Sequence, residues 1–252
     1  METHNYFFSN GMNTISKIEQ NVYDEALEDI EPLLDSMTQV SNNGFYIIDY
    51  FKQDFLYVSD VLAYWLGIPD NQVKELGYKQ YTEHILPEDQ AMLREIRESG
   101  FKFYETLPEE ECKNYSISYD FRIGDTNNSR LINHRLTPLA MHNGKIWLAL
   151  CSITLSANKE PGHITMKKKK DESYYEYSLD THKWHAKTEV TLTDIEKNIL
   201  TLTAQGYTCK EMEAHIHRSV NTVKTYRKQL LKKFNMTNTT SALVYAINNN
   251  LL

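Results

Sequence analysis

The segment "HRSVNTVKTYRKQLLKKF", His217 to Phe234, gathers Arg218, Lys224, Arg227, Lys228, Lys232 and Lys233 and holds no Asp or Glu. Wound as a helix of 3.6 residues per turn, it separates into two stripes. Val220, Val223, Leu230, Leu231 and Phe234 recur at steps of three, four and seven and make an apolar side that must dock on other helices. Asn221, Lys224, Thr225, Lys228 and Lys232 fall on another side that is hydrogen-bonding and cationic throughout. A solvated face usually mixes signs, because a Glu to Lys pair at i, i+4 stabilises a helix by about 0.2–0.5 kcal/mol. That support is forgone here, so an external polyanion is the natural counter-charge.

The charge of the whole chain points the same way. Its 252 residues carry a formal net charge of -7. From Lys187 onward nine Lys/Arg face five Asp/Glu, a net +4, and the remainder, with 18 basic and 29 acidic residues, stands at -11. A polyanion is repelled by the body and drawn to the tail. After Glu213 there is no acid at all.

Catalytic chemistry finds little to stand on. There is no GxSxG, P-loop, HExxH or GxGxxG spacing, and few of the nine glycines are clustered for cradling phosphate. His215 and His217 are two apart on a helix and do not share a face; His182 and His185 flank a turn and could touch a metal; His84 before "LPED" reads as a structural turn residue. Cys112, Cys151 and Cys209 lie far apart with no CxxC or CxxH spacing, which suggests neither a zinc site nor a disulfide framework. The expectation is a protein that is not an enzyme and needs no metal or cofactor. The first twenty residues lack the pattern of a secretory signal and no run approaches a membrane span, so a cytoplasmic location away from membranes is expected.

The basic helix needs neighbours to hold it. Thr193 with Glu196 in "TDIE" is a capping box opening a helix whose Ile195, Ile199 and Leu202 share a face, and Gly206 suits its exit. Thr208 with Glu211 in "TCKE" repeats the box for a second, short helix ending near His217; Ser219 can cap the third, and Asn238 or Thr239 a fourth. Two short helices, a three-residue junction and a long third helix make a helix-turn-helix, whose second element enters the major groove.

Upstream, residues 15–38 carry apolar residues at helical spacing (Tyr23, Ala26, Ile30, Leu33, Met37), with a break expected near Pro32. This helix either pairs with a second copy or packs on its own domain. "FYIIDYFKQDFLYVSD" reads as a hairpin, short helices follow, and Pro87 with its acids opens a longer one. "NYSISYDFRIG", "SRLINHRLTPLAMH" and "KIWLALCSITL" then read as three strands joined by Gly/Asn/Asp turns. Two strands, small helices and three strands describe an α+β domain with an antiparallel sheet covered on one side. "SANKEPGHITMKKKKDES" reads as an exposed linker, and "YYEYSLDTHKWHAK" as a small hairpin after it.

This order, with "HILPEDQAML" between the helices and the last strands, resembles a PAS sensor domain over about residues 40–156. No run similar to the cysteine motif of flavin photosensors is found, so no flavin is expected. The stretch from "LTDIEKNIL" through "GYTCKEM", "SVNTVK" and "KKFNMTN" resembles the LuxR-type helix-turn-helix of bacterial transcription factors. That resemblance implies that Lys224, Thr225 and Lys228 face bases in the major groove of double-stranded DNA. Ser219, Asn221, Thr222 and Arg227 then serve mainly phosphates, with Lys232 on the same cationic face. It also implies a homodimer joined through the fourth helix, where Ala242, Leu243 and Ala246 form a small apolar face. One residue departs from the pattern: Glu213 stands where the family has a small Ala, on a stripe with Cys209, Met212 and Ile216. Buried there, it would need a partner such as Arg227 or Lys224.

The division that follows is an N-terminal helical segment at 1–39, a PAS-like sensor domain at 40–156, a linker with a β-hairpin at 157–187 and a DNA-binding domain at 188–252. A transcriptional regulator is the leading expectation, with RNA polymerase and a small-molecule ligand of the PAS-like domain as further partners. A PAS-containing protein-interaction adaptor and a regulator with an autoinducer-type ligand domain are the alternatives. A phosphorylated receiver fits less well, since it needs alternating parallel βα units.

Overall fold

A computed structural model of the chain describes residues 13–40, 43–67, 77–125, 127–249 and 251–252. It divides into two compact units, Met1–Thr154 with Glu160–Lys187 and Leu155–Lys159 with Thr188–Leu252. Hydropathy patterning accounts for the division: the first unit holds period-two strands and the second only period-3.6 helices.

In the first unit α1 (Gln20–Val40) precedes β1 (Gly44–Asp49) and β2 (Asp54–Val58). A helical insert follows: α2 (Asp60–Leu66), α3 (Tyr78–Glu83), α4 (Pro87–Glu105) and α5 (Glu109–Cys112). Then come β3 (Tyr115–Asp125), β4 (Asn128–His142), β5 (Lys145–Leu155), β6 (Gly162–Lys168), β7 (Ser173–Ser178) and β8 (Lys183–Thr188). The strands form one sheet in the order β2-β1-β5-β4-β3-β6-β7-β8. The architecture is α+β with an antiparallel sheet, and it contains the two-strand, helices, three-strand order expected of a PAS-like domain. Part of the segment expected to hold short helices, residues 68–76, lies outside the described residues.

Register decides which side chains meet. In the β3/β4 ladder Ile117 faces Leu136, Tyr119 faces His134 and Phe121 faces Ile132, so all six share the face on which α2 to α4 deposit Leu62, Leu66, Tyr78, Tyr81, Leu93, Ile96 and Phe101. The start of α4 is tied to the sheet by Asp89, whose Oδ2 accepts from the Arg122 backbone N–H at 2.8 Å and from Arg122 Nε at 3.0 Å, with Arg122 Nη2 on Oδ1. Asp89 is buried, and this bidentate pairing with an added backbone donor makes its ionised form tolerable there.

Three expectations are corrected, and one open alternative is decided. The sheet is covered on both faces: Ile18, Tyr23 and Leu34 pack on Phe45, Ile47, Trp147 and Leu148 of the face opposite α4. The N-terminal helix therefore packs on its own domain, and Tyr23 Oη donates to the buried Asp49 carboxylate at 2.5 Å. The backbone of α1 also runs unbroken through Pro32, because burial of Tyr23 on one side and Leu34 on the other holds both halves to the same sheet face. Finally, the part of 157–187 expected to be an exposed linker forms β6, while the hairpin expected after it forms as β7 and β8. β6 joins the free edge of β3, pairing Ile117 with Met166 and Tyr115 with Lys168, and its Ile164 and Met166 are buried. Lysines that suggested solvation sit at the strand end, where Lys168 meets Glu111 at 2.7 Å and Lys167 lies over the Tyr174 ring. An open edge recruits such a strand because its backbone groups need partners.

His134 makes the first unit sensitive to acid. Burial pulls its pKa from the ordinary 6.5 to about 3, so the folded imidazole stays neutral while the unfolded one protonates below about pH 6.5. Stability is fully present above that value and falls as pH drops toward 3, by about 2 kcal/mol between pH 7.5 and 5 from this group alone. Urea titrations followed by tryptophan fluorescence check this, since Trp65, Trp147 and Trp184 all lie in the first unit. A His134→Gln variant is expected to show a flatter dependence by that amount.

Candidate nucleic-acid interface

The second unit consists of four helices: α6 (Asp194–Ala204), α7 (Cys209–Ile216), α8 (Val220–Lys233) and α9 (Thr239–Asn248). Both expected capping boxes form. Thr193 Oγ1 accepts from the Glu196 N–H at 3.3 Å while Glu196 Oε2 accepts from the Thr193 N–H at 2.8 Å; Thr208 and Glu211 repeat this at 3.4 and 2.8 Å. The Thr208 backbone N–H, then its hydroxyl, hold the Glu211 carboxyl below the usual carboxylate range. His217 ends α7 in the left-handed region at φ 53°, which turns the chain sharply. Ser219 Oγ then accepts from the Thr222 N–H at 3.2 Å and opens α8.

Ile199, Leu200, Met212, Val223, Leu230, Phe234, Ala242 and Ala246 form the core of this unit. Val223 and Leu230 bring one side of α8 inward, so Asn221, Lys224, Thr225, Lys228 and Lys232 lie exposed on the other. Among the described residues none of Lys224, Lys228 and Lys232 makes an ion pair. Ser219 is exposed and Thr222 half-buried at the mouth of the same helix, with their hydroxyl oxygens 2.9 Å apart. Gln229 is a further exposed polar residue beside this stripe, four residues after Thr225; its helical spacing was available in the sequence, but a neutral amide does not stand out among cations.

Two other cations of the segment do structural work. Arg227 Nη1 donates to Cys209 Sγ at 3.0 Å and Nη2 to Thr239 Oγ1 at 3.0 Å, bracing the starts of α7 and α9 against α8. The helical period foreshadows these contacts: Arg227 stands four residues after Val223 and three before Leu230, beside the buried side. Lys233 Nζ meets Glu196 Oε2 at 2.8 Å. Burial opposes ionisation of Glu196, yet the Lys233 ammonium and the Thr193 donors outweigh it and hold its pKa below the usual range.

Two other expectations change. Ala242 and Ala246 are buried at 1% and 0% exposure in the core of their own unit, so they cannot form a face between copies. Small side chains let α9 approach α6 and α8 closely, and that contact consumes them. Leu243 is half-buried and Ile247 remains 55% exposed. Glu213 is exposed; α7 turns Met212 alone fully inward, so the carboxylate faces water and needs neither Arg227 nor Lys224.

Substitution separates the two kinds of cation. Arg227→Ala is expected to lower the stability of the second unit by about 1.5–3 kcal/mol, since it removes charge-assisted hydrogen bonds at two helix starts. Lys228→Ala is expected to stay within about 0.5 kcal/mol of the parent. Thermal unfolding followed by circular dichroism checks both.

Residues 190–246 match the family model described as bacterial regulatory proteins, luxR family. "Probable transcriptional regulator ycf29" of Pyropia yezoensis is 45% identical over 64 residues, 25% of this chain and 29% of that protein. The response regulator protein VraR of Staphylococcus aureus is 38% identical over 61 residues, 24% of this chain and 29% of that protein. The chain thus spans less than a third of the length of these curated relatives. Among solved structures, the phage VqmA–DPO complex superposes with a TM-score of 0.35 at 15% identity, covering 91% of each chain. A Vibrio cholerae VqmA–ligand–DNA complex gives 0.34 at 15% identity, covering 89% of each. Two capped helices, a sharp turn and a third helix with one face bare of acid stand in the residues that the family model matches, and 190–246 is a helix-turn-helix domain of the luxR family of bacterial regulatory proteins.

Proposed function

We propose that the chain is a cytoplasmic, sequence-specific DNA-binding transcriptional regulator governed by its antiparallel-sheet domain. The observation that carries this reading is the stripe of Lys224, Lys228 and Lys232, exposed together on α8 and without ion pairs among the described residues. A helix with that face held on a capped two-helix platform matches the major groove in width and charge. Lys224, Thr225 and Lys228 read base edges, the lysines favouring guanine O6 and N7. Ser219, Asn221, Thr222 and Lys232 position the domain on phosphates. No described helix is long and apolar enough to cross a membrane.

Two copies bind half-sites about one helical turn apart. On α9 the pairing face is built on Leu243 and Ile247, since the alanines are consumed internally. The sheet domain, extended by β6 to β8, senses a signal that shifts a two-state equilibrium in dimer geometry or helix availability. RNA polymerase is the partner through which a bound dimer would act.

Operators selected from a random duplex pool and titrated by fluorescence anisotropy test the reading. Lys224→Ala and Lys228→Ala are each expected to weaken specific binding by about 1–3 kcal/mol with unchanged folding. With about six phosphates neutralised, log K is expected to fall against log salt with a slope of about -5. Absence of any binding at low salt would replace this function with docking of an acidic protein partner.

A further inference from the structure

Two carboxamides stand on α8, Asn221 and Gln229. Asn221 lies in the first turn, next to the Ser219 and Thr222 hydroxyls and to the backbone N–H groups of a helix start, where phosphates are held. Gln229 lies about two turns further along, beside Lys228, and is exposed. Its carboxamide makes no hydrogen bond among the described residues.

Helical geometry fixes the direction in which Gln229 points. At about 100° per residue, Val223, Leu230 and Phe234 centre the buried side, and the direction opposite them passes among Asn221, Thr225 and Lys232. Gln229 stands about 60° from that direction and Lys224 about 80° from it, on opposite flanks. A helix is about 10–12 Å across with its side chains, and the major groove is about 12 Å wide. Seated there by its outer side, α8 brings both flanks against base edges.

The two flanks differ in chemistry. A lysine ammonium only donates, so Lys224 and Lys228 suit the guanine O6 and N7 acceptors. Thr225 Oγ1 gives its one proton to the Asn221 carbonyl oxygen at 3.0 Å, which leaves it a methyl group and an acceptor oxygen. Gln229 alone on its flank carries a donor and an acceptor in one plane. Adenine is the single base that shows both complements in the major groove, at N7 and at its N6 amino group. We propose that Gln229 reads an adenine in each half-site, so that the operator sets guanines against the lysines and an adenine against the opposite flank; this rests on the DNA-binding reading above.

Operators selected from a random duplex pool by the parent protein, by Gln229→Ala and by Gln229→Lys test this, with affinities then measured on single-base variants of the parent operator. One column of the parent half-site is expected to be adenine, and its exchange for guanine to weaken parent binding by about 5- to 150-fold. Gln229→Ala is expected to accept all four bases in that column while the other columns stay, and Gln229→Lys to move the column to guanine. Because Gln229→Ala removes no charge, its slope of log K against log salt is expected to match that of the parent. Equal weakening by Gln229→Ala on every sequence would place the residue on phosphate and overturn the proposal. A parent operator that Gln229→Ala reads without change, while Lys224→Ala and Lys228→Ala alter its guanine columns, also overturns it and leaves the regulatory reading standing. A parent protein that binds no duplex, or binds every sequence alike, overturns both.

Discussion

Burial of Val223, Leu230 and Phe234 sets the rotation of α8 about its own axis, and the chemistry of its outer side follows from that rotation. These side chains are 0%, 2% and 5% exposed, so turning the helix by even one residue would bring lysine into the core and expose phenylalanine, a change of several kcal/mol. Given that lock, residues 221, 224, 225, 228 and 232 can only face outward. The partition of cations is a second consequence. Arg227, next to the buried side, finds neutral acceptors on α7 and α9, and Lys233 finds the Glu196 carboxylate; both are held within the unit. What is left for an external partner is a narrower and more regular set of charges than the segment as a whole contains.

Glu196 deserves its place in that account because it serves two ends at once. Its carboxylate completes the cap of α6 and anchors the end of α8 through Lys233. An ionised group so little exposed is stable only with several donors, and here backbone, hydroxyl and ammonium supply them. The helix that bears the cationic face is thereby fastened at its end to the first helix of the platform.

The sheet domain obeys the same logic with a different period. Alternation in β3 and β4 sends Tyr119 and His134 to one face and Ser118 and Asn133 to the other, where the latter two bond to each other at 3.0 Å. Long aromatic side chains from α3 and the sheet meet over the first face without filling it, and their hydroxyls converge with a neutral histidine and one arginine. Polar groups in so dry a place interact more strongly than in water and are costly when unmatched.

Local spacing was enough to read the capping boxes at Thr193 and Thr208, the two stripes of α8, the hairpins and the order of strands, because each depends on neighbours within four residues or on a repeat of two. It was also enough, through the charge of the tail and its spaced motifs, to place a helix-turn-helix at the C-terminal end. Tertiary structure alone decided who partners whom. The lysine-rich stretch looked solvated until the free edge of β3 claimed it as β6; Ala242 and Ala246 looked like a face for another copy until α6 and α8 covered them; Glu213 looked buried until the pitch of α7 turned it to water. Periodicity states which residues share a side, but not which side meets a neighbour, since that depends on backbone edges and surfaces contributed by residues far away in the chain.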